Sequence, residues 1–190
     1  MEMLRKKILD ESEILPGSVL RVDSFLNHQV DVKLLKACGE EWYKLFKDTG
    51  VTKILTIESS GIGIACLTAQ YFDVPVVYAK KSRSATIGND FYATKVVSYT
   101  HGQSYEIVIS KKFIGPDDKI LIIDDFVANG SALKVLINLA EKSGAKVIGI
   151  GVAIEKLDKE GGKLLRELGY RVESLAKIKS LDNGKIEFED

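Results

Sequence analysis

The stretch KILIIDDFVANGSA, residues 119–132, indicates how this chain folds. Its apolar run predicts a buried strand over 119–123, and two aspartates, Asp124 and Asp125, follow that run directly. A loop of small residues with one glycine comes next, and an apolar-periodic segment, 131–144, predicts a helix. A carboxylate at the end of a buried strand must be solvated, hydrogen-bonded or paired, because burying it bare costs several kcal/mol. We therefore expect the aspartates to have a specific task.

The succession of strand, turn and helix recurs along the chain. Predicted helices cover 32–46, 64–72, 131–144 and 157–169, and predicted strands cover 53–58, 75–81, 119–123, 145–156 and 170–178. Residues 96–99 and 105–110 favour a hairpin, and residues 82–94 lack a period and are predicted as a loop. The alternation predicts an α/β fold with an open, mostly parallel, twisted sheet flanked by helices. Ligands of such sheets bind at the carboxyl ends of the strands.

Length and pattern indicate one domain, residues 1–190. The alternating core covers about 31–168, and the flanking segments, about 1–30 and 169–190, are expected to pack together as a small hood lobe.

Composition argues against several classes of function. Of the 190 residues 45% are hydrophobic, and 27 Lys and Arg balance 27 Asp and Glu. A net charge of zero gives no electrostatic footprint for nucleic acid or an anionic membrane, so neither is an expected partner. No apolar run has the length of a signal peptide or a membrane span. Cys38 and Cys66 form no metal-ligand spacing, and we expect reduced thiols in a cytoplasmic protein.

Three polar clusters follow predicted strands: Glu58-Ser59-Ser60-Gly61, Lys80-Lys81 and Asp124-Asp125. Residues 128–132 then open a helix, where converging backbone N–H groups and the helix dipole favour a phosphate. The lysine pair suits a second anionic group. Carboxylates between two anions can accept hydrogen bonds from vicinal hydroxyls or hold water on magnesium. A ligand with a phosphate, a diol and a diphosphate satisfies all three clusters.

Each cluster also has a simpler interpretation. A turn that contains glycine is compatible with an ordinary loop, and an aspartate pair with a cap in a solvated turn. The dinucleotide fingerprint is absent because SSGIGIAC, residues 59–66, lacks the third glycine. The lysine of a phosphate loop is absent because Ser131 follows Gly130. Only the combination of apolar run, aspartate pair and small loop indicates the ligand described above.

The stretch ILIIDDFVANGSA, residues 120–132, resembles the phosphoribosyl-diphosphate signature of the type I phosphoribosyltransferase family. Further segments resemble the bacterial xanthine branch of that family, in order along nearly the whole chain: 19–31, 52–62, 75–81, 149–156 and 169–181. The resemblance implies the type I phosphoribosyltransferase fold and transfer of a phosphoribosyl group to N9 of xanthine. It also implies Mg²⁺, bound mainly through phosphoribosyl diphosphate, a homodimer, and a flexible loop at about 82–104 that closes over the site.

The resemblance assigns residues to each part of the substrates. Asp124 and Asp125 would be catalytic, accepting the ribose hydroxyls and stabilising positive charge that develops on the ring. The 5′-phosphate would bind the backbone of Ala128, Asn129, Gly130, Ser131 and Ala132. The diphosphate would bind Glu58, Ser59, Ser60, Gly61, Lys81 and, in support, Lys80, with a cis peptide bond between Glu58 and Ser59. The purine would contact Leu20, Asn27, Phe126 and Lys156, and no residue is assigned as a direct metal ligand.

Two other functions stay open on the sequence. An ammonium at Lys156 can donate to a purine carbonyl, which favours 6-oxopurines over adenine but fits guanine and hypoxanthine as well as xanthine. A regulator that senses phosphoribosyl diphosphate would need a DNA-binding module, and only about 30 residues precede the helix at 32–46. No general base is assigned, because Ala128 stands where the hypoxanthine-guanine branch has an aspartate.

Overall fold

A computed structural model describes residues 1–82, 90–97 and 104–189. In chain order its elements are α1 (Glu2–Glu11), β1 (Glu13–Leu15), β2 (Val19–Arg21), α2 (Val32–Phe46), β3 (Lys53–Ile57), α3 (Ser60–Phe72), β4 (Val76–Ala79), β5 (Phe91–Val97), β6 (Ser104–Ser110), β7 (Lys119–Val127), α4 (Ser131–Ser143), β8 (Lys146–Lys156), α5 (Gly161–Glu167), β9 (Val172–Ser180) and β10 (Glu187–Phe188). A π-helical turn lies at Asp23–Asn27. In the part of the chain that is described, no helix combines the length and apolarity needed to cross a bilayer.

The central sheet of the described residues has six strands in the order β10-β9-β8-β7-β3-β4. The strands from β9 to β4 run parallel to their neighbours, and the edge strand β10 runs antiparallel to β9. Strands β5 and β6 form a separate antiparallel hairpin. The predicted open, mostly parallel sheet flanked by helices is confirmed.

Strand β7 lies between β3 and β8 with side-chain layers on both of its faces. Ile120 and Ile122 pack in a core shared with α4 and β6, whereas Leu121 and Ile123 pack in a core shared with α2 and α3. Successive side chains of a strand point to opposite faces, so a central parallel strand needs an uninterrupted apolar run. All four residues are 0% exposed.

Two predicted helices have the expected ends. Helix α2 covers the predicted 32–46, and the side chain of Asp31 accepts a hydrogen bond from the Leu34 N–H at 3.0 Å, as an N-cap does. Helix α4 ends before Gly144, whose φ of 79° lies in the left-handed region that favours glycine.

The predicted end of β7 is wrong. The strand continues through Asp124 and Asp125 to Val127 instead of stopping at residue 123. Strand β8 remains its partner over this length, with Asp124 opposite Val152 and Val127 opposite Glu155. Backbone pairing with a long neighbour therefore extends the strand beyond its apolar run.

Two other boundaries also differ from the prediction. Helix α3 begins at Ser60, so the segment predicted as a turn forms its first turn. Strand β5 begins at Phe91, within the predicted loop at 82–94. It pairs with β6 as the expected hairpin, although its predicted turn lies outside the described residues except for Ser104. Of the predicted closing loop at about 82–104, residues 83–89 and 98–103 lie outside the described residues.

The amino-terminal segment packs on the sheet beside β9. Leu4 and Ile8 of α1 are fully buried, and the guanidinium of Arg5 lies 5.4 Å from the ring centre of Phe188 in β10. Strands β9 and β10 themselves extend the central sheet. The chain therefore brings its first and last segments together, while their action as a hood lobe stays a prediction.

Candidate functional site

A cavity of about 300 Å³ opens at the carboxyl ends of β3 and β7 and at the start of α4. We call it the strand-end cavity, and it is lined by Ile57, Glu58, Ser60, Lys81, Val96, Ile107, Asp124, Asp125, Phe126, Ser131, Ala132 and Val135. Residues from all three predicted polar clusters therefore share one cavity. Parallel strands cause this convergence, because their carboxyl ends meet at one edge of the sheet.

Asp125 is held by two side chains from separate segments. The Asn27 Nδ2 group donates to its Oδ2 at 3.2 Å, and the Ser60 hydroxyl donates to its Oδ1 at 3.1 Å. In an extended strand Asp125 shares the face of Leu121 and Ile123, on which α3 packs. The strand register thus directs this carboxylate toward Ser60.

Asp124 lies in a more apolar environment. It is 3% exposed, and one of its oxygens accepts the backbone N–H of Asp125 at 3.0 Å. Burial raises the pKa of Asp124 well above its usual 3.8, and the neighbouring Asp125 charge raises it further. The Asp125 N–H and the Lys81 charge offset part of that rise. Ionisation of Asp124 therefore costs free energy in the free protein, and any group that donates a hydrogen bond to the carboxylate reduces that cost.

We expect Asp124→Asn to stabilise the free protein at neutral pH, because the amide removes a charge that burial disfavours. A raised folded-state pKa means that the wild type loses stability relative to this variant as pH rises from about 4 through that pKa. Thermal unfolding of both proteins should show a Tm gap near zero at about pH 4 and of about 3 °C at about pH 8. Asp117→Asn, in an exposed turn before β7, is the control. A gap that narrows as pH rises would contradict this expectation.

The loop from Ala128 to Gly130 leads from β7 into α4 and presents its backbone at the helix N-terminus. Gly130 has a φ of 73°, and a Cβ atom there would lie 3.2 Å from Gly161 Cα. Ala132 and Ser131 line the strand-end cavity, and Asn129 is exposed. This arrangement suits an anion, because the first N–H groups of a helix have no partner within the helix.

The segment after β3 is the second part of the site. The peptide bond between Glu58 and Ser59 is cis, as the resemblance implies, and Ser59 is exposed. The Lys81 N–H donates to a Glu58 oxygen, which connects this segment to the end of β4. Gly61 is buried, and a Cβ atom there would lie 2.1 Å from Thr56 Oγ1 and 3.1 Å from Asp124 Oδ1. No side chain larger than hydrogen fits at this position without displacing its neighbours.

The two predicted lysines are separated. Lys81 lines the strand-end cavity, whereas Lys80 lines a different cavity, of about 620 Å³, along β4 and β6. The backbone of Lys80 pairs with Val108, and its ammonium lies 6.0 Å from the ring centre of Tyr78. Neighbouring residues of extended chain point in opposite directions, which explains the separation.

The residues predicted to contact a purine lie in two groups. Phe126 lines the strand-end cavity, and Asn27 reaches it through Asp125. Lys156 ends β8, and its ammonium donates to the Ser18 carbonyl at 2.7 Å. Leu20 is 8% exposed and lies in β2, two residues beyond Ser18.

The sequence analysis missed residues that shape the site from outside the motif. Thr56 packs against Gly61, and Gly161 packs against the loop from Ala128 to Gly130. The doubled glycine at 161–162, inside the predicted helix 157–169, was a usable signal, because glycine weakens helices and marks close backbone approach. The described residues include no group of three or more His, Cys, Asp or Glu that could hold a metal ion.

Comparison with known proteins identifies the family of this chain. A model of the phosphoribosyl transferase domain matches residues 27–184. The xanthine phosphoribosyltransferase of Ruminiclostridium cellulolyticum is 52% identical over 188 residues, which cover 99% of each chain. That of Clostridium novyi is 48% identical over 190 residues and covers 100% of each chain.

Solved structures agree on the fold. The APRTase of Giardia lamblia, complexed with 9-deazaadenine, has a TM-score of 0.77 at 23% identity and covers 93% of this chain and 98% of its own. The adenine phosphoribosyltransferase of Rhodothermus marinus has a TM-score of 0.75 at 24% identity and covers 93% and 97%. At such identities the likeness concerns the fold alone. The full-length relatives, the matching domain and the strand-end cavity together show that this chain belongs to the phosphoribosyltransferase family.

Proposed function

We propose that this enzyme transfers the phosphoribosyl group of phosphoribosyl diphosphate to N9 of xanthine, giving XMP and diphosphate. One observation carries the proposal: a single cavity unites the aspartate pair with the start of α4 and with Lys81. Relatives named xanthine phosphoribosyltransferase, about half identical over the full chain, support the choice of base.

The phosphoribosyl diphosphate would span the strand-end cavity. Its 5′-phosphate would bind the N–H groups of residues 128–132, and its diphosphate would lie between residues 58–61 and Lys81. Asp124 and Asp125 would accept the ribose hydroxyls. As the diphosphate leaves, positive charge develops on the ribosyl ring, and two fixed carboxylates beside it stabilise that charge.

The raised pKa of Asp124 fits this task. Two ribose hydroxyls and a developing cation would compensate the charge that the free protein holds at a cost. The interaction of Asp124 with the ribosyl group would then be strongest in the transition state, and an interaction of that kind increases the rate.

Mg²⁺ would bind mainly through phosphoribosyl diphosphate. The residues present fit such an ion, because Asp124, Asp125 and Glu58 offer oxygen atoms at the strand-end cavity that can hold its water ligands. The bound ion would neutralise the leaving diphosphate.

The xanthine would lie near Asn27, Phe126, Leu20 and Lys156, with the ring of Phe126 as a stacking face. The ammonium of Lys156, which donates to the Ser18 carbonyl in the free protein, could donate to a purine carbonyl instead. Xanthine, guanine and hypoxanthine carry such a carbonyl, and adenine has an amine in its place.

The first experiment measures turnover of xanthine, guanine, hypoxanthine and adenine with phosphoribosyl diphosphate and Mg²⁺. Xanthine is expected to have the highest kcat/KM. A higher value for guanine or hypoxanthine would reassign the base. Binding of phosphoribosyl diphosphate without turnover of any base would identify a sensor instead of an enzyme.

We expect Lys156→Met to lower kcat/KM for xanthine roughly 10- to 100-fold, because a buried charged donor to the base is lost. The KM for phosphoribosyl diphosphate should stay near the wild-type value. Lys159→Met is a matched control. The ammonium groups of Lys156 and Lys159 lie 3.4 and 3.8 Å from the same Asp158 carboxylate, but the side chain of Lys159 is 47% exposed. Equal losses in both variants would contradict the role of Lys156 in binding the base.

We also propose a cytoplasmic homodimer in which residues 1–30 and 169–190 act as the hood lobe. Cys38 and Cys66 are both free thiols, as expected of a cytoplasmic protein. Exposed aromatic side chains, Tyr78 at 40% and Phe113 at 52%, offer apolar surface for a partner subunit.

A further inference from the structure

Helix α5 contacts the loop from Ala128 to Gly130, which we call the phosphate loop after its proposed role, and also contacts a buried carboxylate. At its start, the Gly161 N–H donates to the Ala128 carbonyl at 3.0 Å. At its end, Arg166 binds Glu155, a residue of β8 that is 1% exposed. None of the roles proposed above uses Glu155, Gly161 or Arg166.

Both oxygens of the Glu155 carboxylate accept hydrogen bonds. Arg166 Nη1 donates to Oε1 and Nη2 to Oε2, each at 2.7 Å, and the Ser174 hydroxyl also donates to Oε2. Burial raises the pKa of Glu155, but the hydrogen bonds from Arg166 and Ser174 outweigh it and bring the pKa below its usual 4.5. The pair is therefore ionised at neutral pH, with the paired geometry that gives strong and directional hydrogen bonds.

The contact at the start of α5 is close. A Cβ atom on Gly161 would lie 2.2 Å from the Ala128 oxygen and 2.5 Å from the Gly130 nitrogen. Gly162 packs equally closely on the carboxylate, because a Cβ atom there would lie 1.8 Å from Glu155 Oε1. The backbone of α5 thus touches both the loop and the ion pair with no side chain between them.

A helix such as α5 cannot hold this position by itself. It has 7 residues and begins with two glycines, which are poor helix formers. The Arg166–Glu155 pair anchors it to β8 at the position opposite Val127, the residue that precedes the loop. We propose that this ion pair is a positioning device for the phosphate loop: it presses Gly161 against Ala128 and Gly130 and so aligns their N–H groups for the 5′-phosphate. The inference rests on the proposed function of that loop.

The test compares Gly161→Ala, Arg166→Lys and Arg166→Met with the wild type. Calorimetric titration with phosphoribosyl diphosphate in the absence of xanthine measures directly the binding step that the loop is proposed to support. We expect the Kd to rise about 100-fold in Gly161→Ala and about 10-fold in Arg166→Met, with Arg166→Lys between wild type and Arg166→Met because it keeps the charge but loses the paired geometry. The KM for xanthine at saturating phosphoribosyl diphosphate should change less than about twofold. Lys163→Ala, on the same helix with a side chain 71% exposed, should bind like the wild type.

A double variant separates positioning from stability. Removing Arg166 alone leaves a buried carboxylate unpaired, which destabilises the fold. Glu155→Gln combined with Arg166→Met removes both charges, so Tm should recover while the Kd for phosphoribosyl diphosphate stays raised. Recovery of both values, or wild-type Kd in folded Gly161→Ala and Arg166→Lys, would overturn the inference. A wild type that does not bind phosphoribosyl diphosphate would overturn the proposed function of the loop, and the inference with it.

Discussion

Replacement of both strand-end aspartates, Asp124→Asn with Asp125→Asn, is expected to lower kcat/KM for xanthine at least roughly 1,000-fold. A single group that stabilises charge in a transition state contributes about 100- to 1,000-fold, and this variant removes two. The amides keep the shape of the side chains but cannot neutralise a developing ribosyl cation. Steady-state kinetics with both substrates measures the loss.

The single variants should differ in stability although both lose activity. Asp124→Asn removes a disfavoured charge, whereas an amide at position 125 cannot accept from both Asn27 and Ser60 through two oxygens. We therefore expect Asp124→Asn to be the more stable of the two. Asp117→Asn, an exposed turn aspartate before β7, controls for a general effect of charge. A double variant that retains more than about a tenth of wild-type kcat/KM would remove the aspartates from the mechanism.

Gly61→Ala is expected to damage both activity and stability. Its Cβ atom would lie 2.1 Å from Thr56 Oγ1 and 3.1 Å from Asp124 Oδ1. Thr56 is fully buried and β-branched, so it cannot rotate away easily. Overpacking of this kind costs about 2 kcal/mol, which corresponds to a Tm loss of about 6 °C. A shift of Asp124 by about 1 Å should lower kcat/KM about 100-fold.

Gly63→Ala is the matched control on the same helix. Its Cβ atom would meet nothing nearer than Leu35 and Val30, each at 3.9 Å, which is ordinary contact. Because alanine favours helix, this variant should gain up to about 1 kcal/mol of stability and keep full activity. Adding Thr56→Ala to Gly61→Ala should restore part of the lost Tm by removing the clashing hydroxyl. Equal behaviour of the two alanine variants would show that Gly61 has no special packing role.

Local chemistry allowed some elements to be predicted to the residue. Helix α2 has apolar residues at helical spacing and an aspartate cap, and both signals depend only on near neighbours in the chain. The four apolar residues before Asp124 likewise predict a strand buried on both faces. The polar residues after the strands predict a ligand site, because strand ends converge in any parallel sheet.

Other features depend on partners that are distant in the chain. Strand β7 extends to Val127 because β8 continues beside it, and no property of Asp124 or Asp125 itself indicates this. Asn27 reaches Asp125 across 98 positions, and Gly161 reaches Ala128 from a different element. Lys80 and Lys81 look equivalent in sequence, but the backbone direction at the end of β4 places them in different cavities.

The sequence by itself determined the order of strands and helices between residues 32 and 178, the buried run of β7 and the three polar clusters, because periodicity, capping and burial act over a few residues. It did not indicate α1, β1, β2 or β10 in the flanking segments. Only the tertiary structure decided which of those polar groups share a cavity, why Gly61 and Gly161 must lack side chains, and that Arg166 of α5 pairs with Glu155 of β8. Those properties arise from contacts between distant elements, where a backbone separation of a few ångströms decides whether a side chain fits.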